Sequence, residues 1–92
     1  MATVKVEATI VNKYGLHARP AMQFVELANK FGGKIEVSNG SLTVDAKSIM
    51  SVMRLAATRG TVLTITANGL DAQQAAAELA ALVAGGFGEE LQ

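Results

Sequence analysis

The segment Tyr14–Met22, YGLHARPAM, contains the only histidine, the only proline and the only tyrosine of the chain. His17 stands two residues before Arg19 and three before Pro20. Neutral imidazole is a nucleophile near pH 7 and its nitrogen also leaves readily, so histidine suits the relay of a phosphoryl group. Phosphoryl transfer depends mainly on positioning and charge stabilisation, so a small acceptor needs no metal of its own. This segment is the first candidate for a chemical site.

The order of residues after His17 predicts the start of a helix. Proline is favoured in the first helical turn, so Arg19 and Pro20 place that turn immediately after the histidine. A helix start presents unpaired backbone N–H groups and the positive end of the helix dipole, and Arg19 adds a charge-assisted contact. A free imidazole gains little from such surroundings, whereas a phosphorylated imidazole gains a great deal. The local sequence therefore suits a histidine that becomes an anion.

Other interpretations of His17 remain open from the residues alone. A single histidine at a helix entry is often only a cap-like or solvated side chain. The sequence supports a metal site even less, because one histidine with no nearby carboxylate cannot form one. No nucleophile-elbow pattern supports a Ser-His-Asp triad. A phosphate-handling hydrolase would need a base near Arg19, and the helix-start segment contains no carboxylate. A small α+β regulatory module that binds a metabolite would not need covalent labelling of His17.

Composition narrows the class of protein. The 92 residues suggest one domain spanning 1–92, and half of them are apolar, which favours a folded chain. Eight basic residues balance eight acidic ones without clustering, which disfavours nucleic-acid binding. Cysteine is absent, so disulfides and thiolate sites are excluded. The N-terminus lacks the apolar core of a signal peptide, and no apolar run approaches the ~20 residues of a membrane helix. We expect a cytoplasmic protein without membrane insertion.

The hydrophobic period changes several times along the chain and predicts the order β-α-β-β-α-β-α. TVKVEATI and TVLTITA are typical of strands, and KIEVS-NG-SLTVD indicates a hairpin turning at Asn39-Gly40. Helical spacing follows the YGLHARPAM segment, and KSIMSVMRLAA predicts a second, shorter helix. Asp71 and Gln74 resemble a capping box for an alanine-rich third helix that Gly85-Gly86 ends. One sheet with the helices on one face is the economical packing, which gives an α+β fold.

The second marked segment is DAKSIMSVMRLAA, whose apolar residues cover too much of a helix for one sheet to bury. Three of them can face the sheet, namely Val52, Leu55 and Ala56. Three more widen the apolar arc to roughly 220° at 100° per residue, namely Ile49, Met50 and Met53. Exposed methionine and isoleucine form an adaptable docking surface, although packing under a loop would serve equally well.

The run GLHARPA, the segment KSIM some thirty residues later and the element order together resemble the HPr family. These are the histidine-containing phosphocarrier proteins of the bacterial phosphoenolpyruvate-dependent phosphotransferase system. The resemblance covers nearly the whole chain. It implies an open-faced β-sandwich, in which a four-stranded antiparallel sheet carries three helices on one face (βαββαβα). It also implies a monomeric phosphocarrier without cofactor or metal, rather than a stand-alone enzyme.

The resemblance also implies roles for particular residues. The histidine that matches His17 accepts phosphate on Nδ1 from phospho-enzyme I and passes it to a histidine of an enzyme IIA domain. Arg19 and the helix-start backbone of Ala18 and Arg19 stabilise that phosphate. The surface of Ile49, Met50 and Met53 contacts enzyme I and other partners. Ser48 resembles the regulatory serine that HPr kinase/phosphorylase modifies in many bacteria, and its alternative role is a simple helix N-cap.

Some residues depart from the common pattern of that family. Ser51 replaces a frequent glycine, and Arg54 stands where many relatives have a small residue. Glu26 lies where members of sugar systems often carry a lysine. NKYGLHARPAM and the GFGEE tail also resemble the nitrogen-related branch of the family. The carrier role is unaffected, but the choice between sugar uptake and nitrogen-related regulation stays open.

Overall fold

The elements occur in the predicted order in the computed structural model, which describes residues 2–90. The strands are β1 (Thr3–Thr9), β2 (Ile35–Ser38), β3 (Thr43–Asp45) and β4 (Val62–Asn68). The helices are α1 (Ala18–Ala28), α2 (Ile49–Met53) and α3 (Ala72–Ala84), and a short 3₁₀ turn follows at Gly86–Gly88. Within residues 2–90 no helix combines the length and the apolar character that a membrane crossing requires.

The strands form one antiparallel sheet in the order β1-β4-β2-β3. Ile65 of β4 pairs with Val6 on one side and Val37 on the other, so the central strands share one apolar row. Because side chains alternate along a strand, one face of the sheet is buried and the opposite face carries polar groups. Exposed or half-buried residues of that open face include Lys5, Glu36, Thr64 and Thr66. The predicted α+β fold, with three helices on one face of an open sheet, is confirmed.

The helices cover the apolar face of the sheet. Helix α1 inserts Phe24, which is fully buried, between two alanines that let the backbone approach closely. Helix α3 packs on β1 and β4 through a narrow row of small and branched side chains, Ala72, Ala75, Ala76, Leu79 and Val83. Burying a leucine or phenylalanine side chain contributes roughly 1.5–3 kcal/mol to stability, so Phe24 of α1 and Leu79 of α3 each stabilise the packing of their helix on the sheet.

Two turn predictions need correction. The loop of the β2–β3 hairpin has four residues, Asn39–Leu42, instead of the two expected at Asn39-Gly40. The reason is that Oδ1 of Asn39 accepts the N–H groups of both Ser41 and Leu42, each at 2.9 Å. The prediction of a capping box at the start of α3 is also wrong. Asp71 makes no cap bond, because its Oδ2 instead accepts the N–H of Gly32 at 3.2 Å.

Helix α2 is shorter than its sequence pattern predicts. It ends at Met53, and the following residues leave the helix through Ala56, whose φ is +46°. Ala56 is therefore exposed, and the expectation that it faces the sheet is wrong. Val52 of α2 and Leu55, which follows the helix, are buried as expected.

Candidate functional site

The loop before α1 is held by the backbone of a distant segment. Gly15 has φ +66°, and a Cβ at this position would lie 2.5 Å from the carbonyl oxygen of Ala57. The next N–H, that of Leu16, donates to the same oxygen at 2.9 Å. Asn12 closes the loop from inside, since it accepts the Gly15 N–H at 3.2 Å and its Nδ2 donates to the Gly15 oxygen at 2.7 Å. The residue that precedes His17 is thereby fixed in place.

His17 is the N-cap of α1, as the sequence predicts. Its backbone is extended (φ −75°, ψ −174°), and its oxygen accepts the first helical bond from the Ala21 N–H at 3.0 Å. Its side chain makes no capping bond and is free for other contacts. Pro20 has no N–H, and the N–H groups of Ala18 and Arg19 donate to no other residue within 2–90. Two backbone donors therefore remain free beside the histidine.

The segment after α3 folds back towards this helix start. Phe87 is buried and adopts φ +57°, which reverses the chain, and the Glu89 N–H donates to the Gly86 oxygen at 2.9 Å. The oxygen of Glu90 accepts the Lys13 N–H at 3.2 Å. The buried aromatic ring and these two backbone bonds place the side chain of Glu89 against the loop that precedes α1.

The side chains of His17 and Glu89 form the centre of the site. Nε2 of His17 lies 3.0 Å from Oε1 of Glu89, and Nδ2 of Asn12 donates to the same oxygen at 3.1 Å. The His17 side chain is 41% exposed and that of Glu89 is 20% exposed. The hydrogen bond from His17 lowers the pKa of the Glu89 carboxyl below its usual value. Partial burial opposes this effect, while the Asn12 bond and the electrostatic influence of His17 and Arg19 lower the pKa further.

This arrangement determines which ring nitrogen is available for chemistry. Because the pKa of Glu89 is lowered, its carboxyl group is ionised at neutral pH and can only accept hydrogen bonds. Nε2 of His17 must then donate the proton of their shared bond. In a neutral imidazole the other nitrogen carries the lone pair, so Nδ1 is the nucleophilic atom. Tyr14 restrains the same ring from the side, with ring centroids 6.2 Å apart and planes at 88°.

Sequence reasoning missed Asn12 and Glu89, and the statement that no carboxylate is near His17 is wrong. The only available signal was the acidic end of the GFGEE segment after Gly85-Gly86, which marks a chain reversal but not its destination. The correction does not create a metal centre. Within residues 2–90, histidine, aspartate and glutamate side chains nowhere assemble in the group of three that could hold a metal ion.

A cleft of about 320 Å³ lies over the histidine. Lys13 and Arg19 border it with positive charge, while Glu89 and Glu90 border it with negative charge. The ammonium group of Lys13 lies 5.2 Å from the centre of the Tyr14 ring, a cation–π distance that holds this cation at the rim. The structure thus brings together His17, Arg19 and the backbone of Ala18 and Arg19 from the predicted set, in a cleft open to an incoming anion.

The other predicted residues lie on α2, outside this cleft. Ser48 is the N-cap of α2, and its Oγ accepts the Ser51 N–H at 3.3 Å, so the capping alternative describes its present contact. Ile49, Met50 and Met53 are 37%, 79% and 40% exposed. The expectation that part of this apolar set stays in solvent is confirmed.

Comparison with known proteins places these features in a family. Residues 4–85 match the sequence model of the family described as PTS HPr component phosphorylation site. The phosphocarrier protein HPr of Cupriavidus necator is 46% identical over 83 residues, which are 90% of this chain and 93% of the relative. The crystal structure of HPr from Bacillus anthracis superposes with a TM-score of 0.85 at 44% identity, covering 90% of this chain and 99% of that one. The Crh protein of Bacillus subtilis, a domain-swapped dimer in its crystal, is 42% identical with a TM-score of 0.70 over the whole of both chains.

Proposed function

The chain belongs to the HPr family of phosphocarriers of the phosphotransferase system, and on that basis we propose that His17 is its phosphoryl acceptor. The observation that carries this proposal is the hydrogen bond between Nε2 of His17 and Glu89 at a helix start. It supports Nδ1 as the atom that bonds phosphorus.

The transfer step follows from the protonation state of the ring. The lone pair of Nδ1 attacks the phosphorus of the donor, the nitrogen–phosphorus bond forms, and the donor's own bond to phosphorus breaks. Nε2 keeps its proton throughout, so the ring gains positive charge as the bond forms. The ionised carboxylate of Glu89 stabilises this charge, and Asn12 holds the carboxylate in position. In the onward transfer the nucleophile of the next acceptor attacks the phosphorus and forms the new bond, the bond between Nδ1 and phosphorus breaks, and the ring of His17 returns to its neutral form.

The phosphoryl oxygens need donors on the side of the helix start. The free N–H groups of Ala18 and Arg19 and the positive end of the α1 dipole supply partial positive charge there. The guanidinium of Arg19 adds a charge-assisted bond, which is about twice as strong as a neutral one. Lys13 contributes a further cation at the rim of the cleft. These groups act on the phosphorylated form far more than on the free form, because only the former carries the anion.

The partners of this carrier are the phosphotransfer proteins of its system. We infer that phospho-enzyme I is the donor and an enzyme IIA domain the acceptor, and that both dock on the exposed side chains of Ile49, Met50 and Met53. Ser48 caps the helix that presents this surface, so a phosphoryl group on Ser48 would lie at the edge of the docking area. We further infer that the chain acts in the cytoplasm as a monomeric, single carrier domain over residues 1–92, which sedimentation of the purified protein tests.

A two-stage transfer experiment tests the carrier role. The protein is labelled with phosphoenolpyruvate and enzyme I, separated from both, and then mixed with a purified enzyme IIA domain. We expect the label to move to the IIA domain and the unphosphorylated carrier to be regenerated. No inorganic phosphate should be released before this transfer. Label that remains on the chain, or that appears only as inorganic phosphate, would contradict a carrier role.

A further inference from the structure

Three methionines stand out because nothing in the phosphoryl-transfer chemistry requires them. Met22, Met50 and Met53 are 53%, 79% and 40% exposed. Together with Met1 they are the four methionines of the chain, which has no cysteine. Within residues 2–90, the sulfur groups that an oxidant in solution can reach are therefore the thioethers of these three side chains.

The fold places these three side chains on one surface. At one end of α1, Nδ2 of Asn29 donates to the Lys47 oxygen at 3.1 Å, just before α2 begins. At the other end, the Leu16 N–H donates to the Ala57 oxygen at 2.9 Å, just after α2 ends. The two helices thus run antiparallel and side by side.

Met22 belongs to the side of α1 that faces α2. It precedes Asn29 by seven residues, about two helical turns, so both residues lie on the same stripe of α1. Met50 and Met53 are three residues apart and share one face of α2. Met22, Met50 and Met53, with Ile49 beside them, therefore lie on the adjoining exposed sides of α1 and α2, an apolar area here termed the methionine surface.

We propose that the methionine surface is a reversible oxidation site for peroxides, and that its oxidation weakens docking of phosphotransfer partners. This inference rests on the docking role proposed above. A lone pair of the thioether sulfur attacks one peroxide oxygen, a sulfur–oxygen bond forms and the oxygen–oxygen bond breaks. The sulfur loses two electrons, and the other oxygen leaves as water with both protons. The product is a sulfoxide, which is polar and strongly hydrated.

The sulfoxide acts at the surface and leaves the fold and His17 unchanged. An incoming partner must remove water from this area, and burying a polar group without a hydrogen-bond partner opposes binding. None of the three side chains belongs to the buried core, so their oxidation introduces no polar group into it. From the exposed fractions of these residues we expect Met50 to be oxidised first, Met22 next and Met53 last.

Treatment with dilute hydrogen peroxide tests the proposal, with peptide mass spectrometry to locate the added oxygens. We expect sulfoxide in the stated order, and about a tenfold increase in the carrier concentration that gives half-maximal transfer from enzyme I. Methionine sulfoxide reductases should restore the original value. The circular dichroism spectrum should not change.

The triple variant Met22→Leu, Met50→Leu, Met53→Leu is the matched control, since leucine keeps the volume and cannot be oxidised. It retains His17 and Met1, so peroxide damage at either would still appear in it. We expect its transfer to be insensitive to peroxide; equal slowing of variant and wild type would overturn the proposal. Unimpaired transfer by fully oxidised wild type would also overturn the proposal. If the triple variant folds poorly, Met50→Leu alone should remove part of the loss of transfer that peroxide causes.

Absence of any transfer by untreated wild type would instead contradict the proposed function. The order in which the three methionines gain oxygen, measured by mass spectrometry, would still test which side chains react.

Discussion

Nε2 of His17 lies 3.0 Å from Oε1 of Glu89, although 72 positions separate the two residues in the chain. The contact joins a helix start to the segment that follows the last helix. It assigns the ring proton to Nε2, because an ionised carboxylate can only accept. The proposed mechanism depends on this assignment, since it leaves Nδ1 as the atom that attacks phosphorus.

The variant Glu89→Gln tests the role of this carboxylate. Glutamine keeps the size of the side chain but removes the negative charge, so it no longer stabilises the positive ring that forms during transfer. We expect phosphoryl transfer to slow by about tenfold, which corresponds to a loss of about 1.4 kcal/mol of transition-state stabilisation. The neighbouring variant Glu90→Gln is the matched control, because Glu90 is exposed and its bond to Lys13 uses only the backbone. Equal transfer rates in both variants would contradict the role.

Stability should depend on pH through the same group. The pKa of Glu89 is lower in the folded protein than in the unfolded chain. Its stabilising contribution is therefore fully present above the unfolded value and is lost as pH falls through the folded value. We expect the melting temperature of wild type to exceed that of Glu89→Gln at about pH 7, and the two to converge once the pH falls below the folded-state pKa of Glu89. A difference that grows while the pH falls through the range in which carboxyl groups titrate would have the wrong sign for Glu89.

Arg19 should contribute to transfer but little to the fold. Its side chain is exposed, so Arg19→Ala should change the free energy of unfolding by no more than about 0.5 kcal/mol. The loss of a charge-assisted bond to phosphate should slow transfer by about tenfold or more. Arg19→Lys should restore only part of the rate, because an ammonium group cannot make a bidentate contact. Rapid-quench measurement of labelled carrier gives these rates, and an unaffected Arg19→Ala would exclude the role.

Ser48 should control docking rather than stability. Aspartate is a good N-cap, so Ser48→Asp should leave circular dichroism and melting temperature nearly unchanged, although its charge lies beside Ile49 and Met50. We expect weaker transfer from enzyme I to His17 in this variant. Ser41→Asp, at an exposed position in the β2–β3 loop, controls for added charge alone. Normal transfer by Ser48→Asp would leave Ser48 as a helix cap, and an unfolded variant would show that any defect is structural.

The helix start at His17 could be predicted because its determinants are local. A proline in the first turn and the apolar period of α1 act within a few residues of the histidine. The same holds for the expectation that part of the set Ile49, Met50 and Met53 stays exposed, which follows from an apolar arc wider than one sheet can cover. Both inferences needed only the geometry of a helix.

Glu89 could not be predicted because its position depends on the whole fold. It reaches His17 only through the burial of Phe87 in a left-handed conformation, and no sequence period reports such a reversal. The capping box at α3 failed for a related reason. Asp71 has the right spacing from Gln74, but the fold offers its carboxylate the N–H of Gly32 instead.

The central claim is that His17 carries the phosphoryl group, and intact mass spectrometry tests it most directly. Wild type and His17→Ala are incubated with phosphoenolpyruvate and enzyme I, and each product is then divided between mild acid and mild base. We expect wild type to gain the mass of one phosphoryl group that acid removes and base does not, because protonation of the ring breaks a nitrogen–phosphorus bond. His17→Ala should gain nothing. A phosphorylated His17→Ala protein, or a wild-type phosphate that survives acid, would contradict the claim.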